Sequence, residues 1–428
     1  MRQLLLAVIL LSLPPLSAAA LRVEITQGLA DAIPIAVVPF SAGGNAAPPL
    51  DVAEVVERDL AWTGQFRLLP RSDMLERPGT PEAVNFNNWR AVKADHIVVG
   101  QMLPASSGYR IRFSVLDVYR PDRRAASFEV DATAKDLRLA GHTIANRVYE
   151  VLTGHQGIFT TRIAYVTATQ TSRGPRYELV IADYDGYNPR SIATSPESIM
   201  SPAWSPDGTK IAYVTFDIDA GKSLLQIQDL ASGGTELISD RAGINGAPAW
   251  SPNGRHLAMT LSTRGNPDVY VYDVRSRKLN AITQSPAIDT EPAWSPDGNY
   301  LVYTSDRGGR AQIYRAPAQG GKEERLTFEG KSNTRAVYSP DGENIAMVHQ
   351  AGGYKVAVMD LKTRSLRIIT AGPLDESPSF APNGRALIYA HSAGGRVELA
   401  TVSVDGRVKT SLRQRGAVRE PAWSPFGR

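Results

Sequence analysis

Two histidines at matching places in neighbouring repeats are the side chains of this sequence that most resemble metal ligands. His349 and His391 each stand four residues after the first apolar residue of a strand-like segment, Ile345 and Leu387 respectively. Imidazole nitrogens bind zinc well, but a zinc site takes at least three protein ligands. The sequence offers no evident third ligand. Two interpretations therefore stay open: a metal, small-ligand or enzymatic site, or two polar residues at strand ends.

A second set of polar residues stands directly before a recurring Pro-Ala-Trp motif. The residues immediately before each copy are Ser201, Ala247, Glu291, Arg335, Ser377 and Glu420. The residues one step earlier are Met200, Gly246, Thr290, Thr334, Glu376 and Arg419. The set mixes small, apolar and oppositely charged side chains and lacks a convergent acid–base pair. It favours a docking surface over an active site, with plain solvated loops as the alternative.

Composition and missing motifs exclude several classes of function. The 428 residues include no cysteine, which excludes disulfides, thiolate nucleophiles, cysteine-ligated metals and a lipid anchor on cysteine. The sequence contains no G-x-S-x-G, P-loop or H-E-x-x-H motif. Lys and Arg exceed Asp and Glu by 47 to 43, spread along the chain without basic runs, so nucleic-acid binding is not indicated. We expect no cofactor and no bound metal.

The first twenty residues have the pattern of a cleaved signal peptide. Arg2 is followed by the apolar run Leu4 to Leu13 and by the small residues Ala18 to Ala20. The run is too short to span a bilayer, which disfavours a signal anchor. We therefore expect residues 1–20 to be removed and the mature chain to be an exported, soluble protein.

A repeated motif decides the predicted fold. Six copies of a sequence close to Pro-Ala-Trp-Ser-Pro-Asp-Gly recur at intervals of 42 to 46 residues, with the aromatic residue at positions 204, 250, 294, 338, 380 and 423. This period is typical of four-stranded propeller blades. Within each copy, Pro and Asp suit the centre of a tight turn and Gly suits a positive φ after it. We interpret the aromatic residues as packing between blades and the aspartates as turn formers.

The two ends of the repeat region complement each other. Ile163 to Val166 reads as a second strand with no turn motif before it, and Pro421 to Gly427 reads as a first strand with nothing after it. Pairing the two would close the ring and remove exposed sheet edges. The predicted propeller has six blades over residues 156–428, closed by pairing its C-terminal and N-terminal strands.

Residues 21–155 lack the repeat and predict a small mixed α/β domain, which makes the chain multi-domain. Its first residues, 21–32, are expected to form a flexible N-terminal segment. Strands are predicted at Ile33 to Phe40, Phe66 to Leu69, His96 to Leu103, Arg110 to Tyr119 and Ser127 to Val130, and helices at Leu50 to Gly64 and Leu137 to Leu152. Gly154 to Thr161 is the predicted linker to the propeller.

An exported chain with this order of domains resembles the TolB family, the periplasmic propeller proteins of the Tol-Pal system. The more specific marks are Ile33 to Phe40 (IPIAVVPF), Asn245 to Gly254 (NGAPAWSPNG), the triplet Thr290-Glu291-Pro292 and the final PAWSPFGR. The resemblance implies a non-enzymatic interaction protein that supports outer-membrane integrity and invagination during cell division. It also implies a monomer in the periplasm that does not insert into the membrane.

The resemblance further implies two partners. The peptidoglycan-associated lipoprotein Pal would bind at the mouth of the propeller channel, where the family motif corresponds to Asn245, Ala247, Thr290 and Glu291. One residue departs from the family pattern, since Ile244 stands where a polar residue such as histidine is expected. The remaining charged residues of the mouth complete the predicted Pal site; they are Arg335, Glu376, Arg419 and Glu420.

TolA is the second partner that the resemblance implies. It would engage the N-terminal segment, where Leu21, Val23 and Ile25 alternate as in a strand that adds to a sheet edge.

Overall fold

The computed structural model describes residues 22–25, 32–43, 48–122, 126–412, 414 and 416–427. The predicted signal peptide and Leu21 lie outside these residues. Within the described ranges, none of the helices is both long and apolar enough to cross a membrane.

The N-terminal domain is a mixed sheet covered by helices. Its strands are β2 (Ile33–Val37), β3 (Ser41–Ala42), β4 (Phe66–Leu68), β5 (His96–Ala105), β6 (Gly108–Asp117) and β7 (Ala126–Ala132). The sheet order is β4-β2-β5-β6-β7, with β3 beside β5; β2 runs parallel to both neighbours and β5, β6 and β7 are antiparallel. The helices are α1 (Val52–Trp62), α2 (Phe86–Ala91) and α3 (Leu137–Thr153), with 3-10 turns at Arg71–Asp73 and Pro81–Ala83.

The long helices form where the sequence predicts them. Helix α1 begins after Asp51, whose carboxylate accepts from the backbone N–H of Glu54 at 3.1 Å. Helix α3 ends at Gly154, which has a left-handed φ of 74°. The two helices contact each other and bury their apolar stripes against the sheet. Helix α2 and the short β3 were not predicted, because six and two residues are too few to establish a period.

Six four-stranded antiparallel blades follow, and a single parallel pair, Tyr354 with Leu374, joins the fifth blade to the sixth. The first blade consists of β8 (Arg162–Thr171), β9 (Gly174–Asp183), β10 (Arg190–Ser195) and, as its inner strand, β31 (Ala417–Trp423). The second consists of β11 (Met200–Trp204), β12 (Lys210–Asp217), β13 (Lys222–Asp229) and β14 (Thr235–Ser239). The third consists of β15 (Asn245–Trp250), β16 (His256–Leu261), β17 (Asp268–Asp273) and β18 (Leu279–Ala281).

The remaining blades repeat this order. The fourth consists of β19 (Asp289–Trp294), β20 (Tyr300–Ser305), β21 (Gln312–Pro317) and β22 (Glu324–Arg325). The fifth consists of β23 (Asn333–Tyr338), β24 (Asn344–Gln350), β25 (Tyr354–Asp360) and β26 (Leu366–Ile368). The sixth consists of β27 (Leu374–Phe380), β28 (Ala386–Ala393), β29 (Arg396–Ser403) and β30 (Val408–Leu412).

The inner strands make a ring around a central channel. Each contacts the inner strand of the next blade, from β11 round to β31 and back to β11. The first blade is completed by a strand from the other end of the propeller sequence, because β31 pairs antiparallel with β8, with Ala417 opposite Ala168 and Trp423 opposite Ile163. This is the pairing that the two incomplete motifs predict.

The repeated turns have the geometry that their residues favour. In the first Ser-Pro-Asp-Gly turn, the N–H of Gly208 donates to Ser205 O at 2.9 Å, and Gly208 has a φ of 69°. The Asp207 carboxylate accepts from the Ser205 hydroxyl at 2.6 Å and from the Thr209 N–H at 3.1 Å. The aspartate therefore stabilises the turn, as its position indicates.

The aromatic residue of the motif links neighbouring blades. The indole N–H of Trp204 donates to Ala422 O at 3.1 Å, and that of Trp294 donates to Ala249 O at 3.0 Å. These contacts place the tryptophans between blades, as the sequence indicates.

The two domains share one apolar core. It contains residues of α1, α3 and the first and sixth blades, and in it the rings of Trp62 and Trp423 lie 6.1 Å apart in an edge contact. The indole N–H of Trp423 also donates to the Thr161 hydroxyl at 2.8 Å. These contacts show that the N-terminal domain packs on the propeller face that carries the Ser-Pro-Asp-Gly turns, opposite the channel mouth.

The N-terminal strand β1 (Arg22–Ile25) adds to the outer edge of the sixth blade by antiparallel pairing with β30.

Candidate functional site

The predicted mouth residues share an unusual backbone conformation. Each inner strand has a bulge directly before its Pro-Ala-Trp or related motif, where its pairing with the second strand shifts. The residue at each bulge has a left-handed φ between 47° and 56°; the six are Ser201, Ala247, Glu291, Arg335, Ser377 and Glu420. This conformation is costly for residues other than glycine, by about 1–2 kcal/mol. Its occurrence in all six blades makes it part of the architecture, and we refer to these six residues as the bulge ring.

Charged members of the bulge ring contact one another. The Arg335 guanidinium donates from Nη1 to Ser377 Oγ at 2.7 Å and from Nη2 to Glu420 Oε2 at 3.0 Å, and its Nε lies 3.4 Å from Glu291 Oε1. Glu420 Oε2 also accepts from the backbone N–H of Ser201 at 2.5 Å. The ring is thus a connected polar network. Sequence spacing brought these residues to one level, but it did not indicate that they bond to each other.

The Arg335 guanidinium stays charged in this setting. Burial acts to lower its pKa, but the Glu420 and Glu291 carboxylates outweigh that effect and raise the pKa above its ordinary value. The mouth therefore holds a permanent cation between two acidic side chains.

In four of the inner strands, the residue two positions before the bulge is polar and buried, and these four residues form a layer beneath the bulge ring. These residues are Asn245, Asp289, Asn333 and Asp375, and all four are fully buried. The Asn245 amide accepts from the Ser239 hydroxyl at 2.6 Å and donates to Ser223 O at 2.8 Å and Arg241 O at 2.6 Å. A side chain buried in this way offers no surface to a partner. The structure thus places Asn245, a predicted contact residue, beneath the site, where it holds the loop.

The two histidines contact this buried layer; His349 is itself buried, whereas the His391 side chain is 26% exposed. His349 Nδ1 lies 2.8 Å from Asn333 Oδ1, and His391 Nδ1 lies 2.5 Å from Asp375 Oδ1. In each case the partner is the residue opposite on the inner strand of the same blade. Burial lowers the pKa of His349. Within the described ranges there is no group of three or more metal-ligating side chains. Each histidine thus has a partner on the inner strand of its own blade.

The other predicted contact residues lie around the ring. The Thr290 hydroxyl lies 3.2 Å from that of Thr260, and the Arg419 guanidinium lies 5.0 Å from the ring centre of Tyr177. Glu376 is exposed beside the ring.

The predicted contact residues of the N-terminal segment are far from this mouth. Val23 and Ile25 belong to β1, where they stand opposite Thr410 and Val408. Leu21 is outside the described residues.

Two exposed isoleucines lie at the mouth, and as a pair they were not part of the predicted site. Ile244 and Ile288 directly precede the buried residues Asn245 and Asp289, and they are 48% and 49% exposed. The backbone N–H of Ile244 donates to the Ser262 hydroxyl at 2.8 Å, which ties this loop to the hairpin between the second and third strands. The signal was present in the sequence, since an isoleucine stands three residues before the bulge in two consecutive repeats. Exposed apolar residues beside polar ones are typical of protein interfaces.

A second concavity lies on the opposite side of the propeller. This cleft, of about 660 Å³, separates the N-terminal domain from the fifth and sixth blades and is lined by side chains of both charges, such as Arg367, Arg385, Asp341 and Glu343. The mouth is the better candidate docking site because its charged residues bond to one another across the blades.

Family models match both parts of the chain. A model described as the TolB amino-terminal domain matches residues 21–124, and one described as the TolB beta propeller domain matches residues 149–427. Together they cover nearly all of the described residues.

Individual relatives match over almost their full length. The chain is 52% identical to the Tol-Pal system protein TolB of Methylococcus capsulatus over 409 residues, covering 95% of each sequence. It is 51% identical to the Tol-Pal system protein TolB of Alcanivorax borkumensis over 411 residues, covering 95% of this chain and 94% of the relative.

A solved structure has the same fold. The crystal structure of TolB from Acinetobacter baumannii superposes with a TM-score of 0.86 at 38% identity, covering 95% of this chain and 100% of that one. The match extends over both domains. On the strength of the paired domain matches and this full-length similarity, the chain belongs to the TolB family of Tol-Pal system proteins.

Proposed function

We propose that this chain acts in the periplasm as a docking protein for Pal, the peptidoglycan-associated lipoprotein, and that Pal binds at the bulge ring. The observation that carries the proposal is the mouth itself: a rigid polar network with Glu291 partly exposed, next to the exposed Ile244 and Ile288. Interfaces combine apolar contacts with a few fixed polar groups in this manner. Through this contact the chain would support outer-membrane integrity and invagination during cell division.

A rigid site suits recognition of a folded partner. The Glu291 carboxylate accepts from the Thr304 hydroxyl at 2.8 Å and from the Arg335 N–H at 2.9 Å, so it is held before a partner arrives. Little side-chain entropy remains to be lost when such a group forms a contact.

Isothermal titration calorimetry against the soluble domain of Pal from the same organism tests this proposal. We expect binding in the presence of a chelator and a loss of at least tenfold, about 1.4 kcal/mol, in Glu291→Gln. Glu129→Gln, in the exposed part of β7, is the matched control and should bind as wild type. An unchanged affinity of Glu291→Gln would show that Pal binds elsewhere on the chain. If wild type does not bind the Pal domain, the assignment of Pal as the partner is overturned.

We also propose that the N-terminal segment binds TolA by strand addition. Support comes from β1, whose backbone is extended and adds to a sheet edge at β30. A variant lacking residues 21–25 of the mature chain should lose binding to TolA and keep binding to Pal. Retained TolA binding by this variant would contradict the role of the segment.

A further inference from the structure

Arg335 lies across the channel rather than along its wall. Its guanidinium reaches Glu291 in the preceding blade, Ser377 in the next blade and Glu420 two blades ahead. Through Glu420 the network continues to the backbone of Ser201, in the blade beyond. One side chain therefore connects inner strands from most of the ring.

Arg335 also holds Glu291 through its backbone. The N–H of Arg335 donates to Glu291 Oε2 at 2.9 Å and to the Thr304 hydroxyl at 3.1 Å, while Thr304 itself donates to Glu291 Oε2 at 2.8 Å. Both oxygens of Glu291 thus face Arg335, one its backbone and the other its side chain. The left-handed φ of 52° at Arg335 is what turns this residue out of the strand pairing.

We infer that Arg335 is a positioning residue for docking: it fixes the Glu291 carboxylate at the mouth. An acidic group of the partner that drew the Arg335 guanidinium away from Glu420 would leave the Glu420 carboxylate without its cation. That carboxylate is only 8% exposed, and a buried charge without its partner is strongly unfavourable. The charge of Arg335 is therefore compensated by carboxylates within the bulge ring.

The contacts of Arg335 within the ring bear on which chemical group of the partner can complement the mouth. The bulge ring and the residues beside it carry three carboxylates, those of Glu291, Glu376 and Glu420, and two guanidiniums, those of Arg335 and Arg419. Arg335 is paired with two carboxylates of the ring and Arg419 lies over Tyr177, whereas Glu376 is exposed and Glu291 is about as exposed as Arg335. Because the carboxylates outnumber the guanidiniums and both guanidiniums already have contacts, the complementary group on the partner is a hydrogen-bond donor or a cation.

The inference rests on the proposed docking of Pal, and a double-mutant cycle tests it. Binding of the Pal domain is measured for wild type, Arg335→Gln, Glu291→Gln and the double variant. We expect each single variant to bind the Pal domain about tenfold more weakly than wild type. The double variant should bind no more weakly than the weaker-binding single variant, because Arg335 acts through Glu291. Losses that multiply in the double variant would show an independent contact by Arg335 and overturn the inference.

Arg335→Lys separates charge from geometry. An ammonium group cannot hold three partners in the planar arrangement of a guanidinium, so we expect this variant to bind as weakly as Arg335→Gln. Wild-type affinity in Arg335→Lys would mean that charge alone matters. Arg275→Gln, in an exposed turn on the other face, is the control and should bind normally.

A measurement without Pal keeps the two proposals distinguishable. Urea unfolding of Arg335→Gln, Glu420→Gln and their double variant should show that the losses of stability do not add, since the pair is broken by either change. Additive losses would show that Arg335 and Glu420 do not act as a pair and would overturn the inference, whether or not Pal binds. If wild type fails to bind Pal while the unfolding losses remain non-additive, the docking proposal fails and the role of Arg335 in holding the ring stands.

Discussion

The hydroxyl of Tyr184 donates a hydrogen bond of 2.7 Å to Asp59 Oδ1, and this bond joins the propeller to helix α1 of the N-terminal domain. The other oxygen of Asp59 lies 2.7 Å from His142 Nδ1 in helix α3. All three side chains are buried. Burial raises the pKa of Asp59, and burial together with the nearby Asp59 raises the pKa of Tyr184 well above its usual value, so the tyrosine remains a donor. The domain interface therefore contains a specific polar contact within its apolar core.

Replacing Tyr184 by phenylalanine tests the energy of this contact. The change removes one donor and leaves a buried Asp59 oxygen unsatisfied, which costs about 1–3 kcal/mol. We expect the free energy of unfolding in urea to fall by that amount in Tyr184→Phe. Tyr119→Phe removes a hydroxyl from an exposed ring and should leave stability unchanged. Equal stability of the two variants would show that the interdomain bond contributes nothing.

Protonation of His349 makes stability depend on pH. Because burial lowers its pKa, the folded chain binds this proton less readily than the unfolded chain, whose histidine keeps the ordinary value of 6.5. The unfolded state therefore binds more protons as the pH falls below about 6.5, and stability is lost in that direction. His349→Gln should reduce this loss in urea unfolding at pH 7.5 and pH 5.5.

His391→Gln provides the matched comparison for that measurement. It occupies the equivalent place in the next blade but faces the carboxylate of Asp375 instead of an amide. We expect the acid loss that is due to His349 to persist in this variant. The same pH profile in wild type and His349→Gln would refute the prediction.

The positive φ at Ala247 predicts a stabilising substitution. Ala247 has a φ of 47°, which glycine adopts without the steric cost of a Cβ. Ala247→Gly should raise the free energy of unfolding by about 1 kcal/mol, and the melting temperature should rise with it. Two residues later the same strand has resumed its pairing, so Ala249→Gly should instead destabilise by about 0.5–1 kcal/mol. Matching shifts in the two variants would count against backbone strain at the bulge.

The exposed isoleucines predict an apolar contribution to docking. Ile244→Ser and Ile288→Ser each remove a half-exposed side chain, so folding should be unaffected. Each should weaken binding of the Pal domain roughly fivefold, about 1 kcal/mol, because the lost apolar surface would be buried in the complex. Leu237→Ser, at an exposed position on an outer strand, is the control. Unchanged affinity in both isoleucine variants would show that Ile244 and Ile288 contribute nothing to docking and would contradict this prediction.

Most of the architecture could be predicted from the sequence because it is repetitive. Each Ser-Pro-Asp-Gly turn fixes a hairpin locally, and the recurrence of Trp204 and its equivalents sets the blade period. Helices α1 and α3 were within reach for a similar reason, since an apolar stripe and a C-terminal glycine such as Gly154 are local signals. Helix α2 was missed because a single turn and a half carries no such pattern.

The candidate site was predicted only as a set of positions. Proline spacing placed Glu291, Arg335 and Glu420 at one level, but the reach of Arg335 over two blades depends on the ring's curvature, which no local pattern contains. Burial divided the predicted contact residues in a way that spacing could not. Asn245 lies beneath the surface, whereas the isoleucine directly before it, Ile244, is exposed.

The pairing of β31 with β8 has a consequence for the order of assembly. The first blade carries Tyr184 and the strand next to Thr161, so it supplies much of the surface on which the N-terminal domain rests. Its inner strand comes from residues 417–423, and these are synthesised after every other blade. Closing so long a loop is slow, and until it happens β8 has an unpaired edge that invites aggregation. A chain that stopped before residue 417 would lack the partner strand of β8 and would keep this edge unpaired.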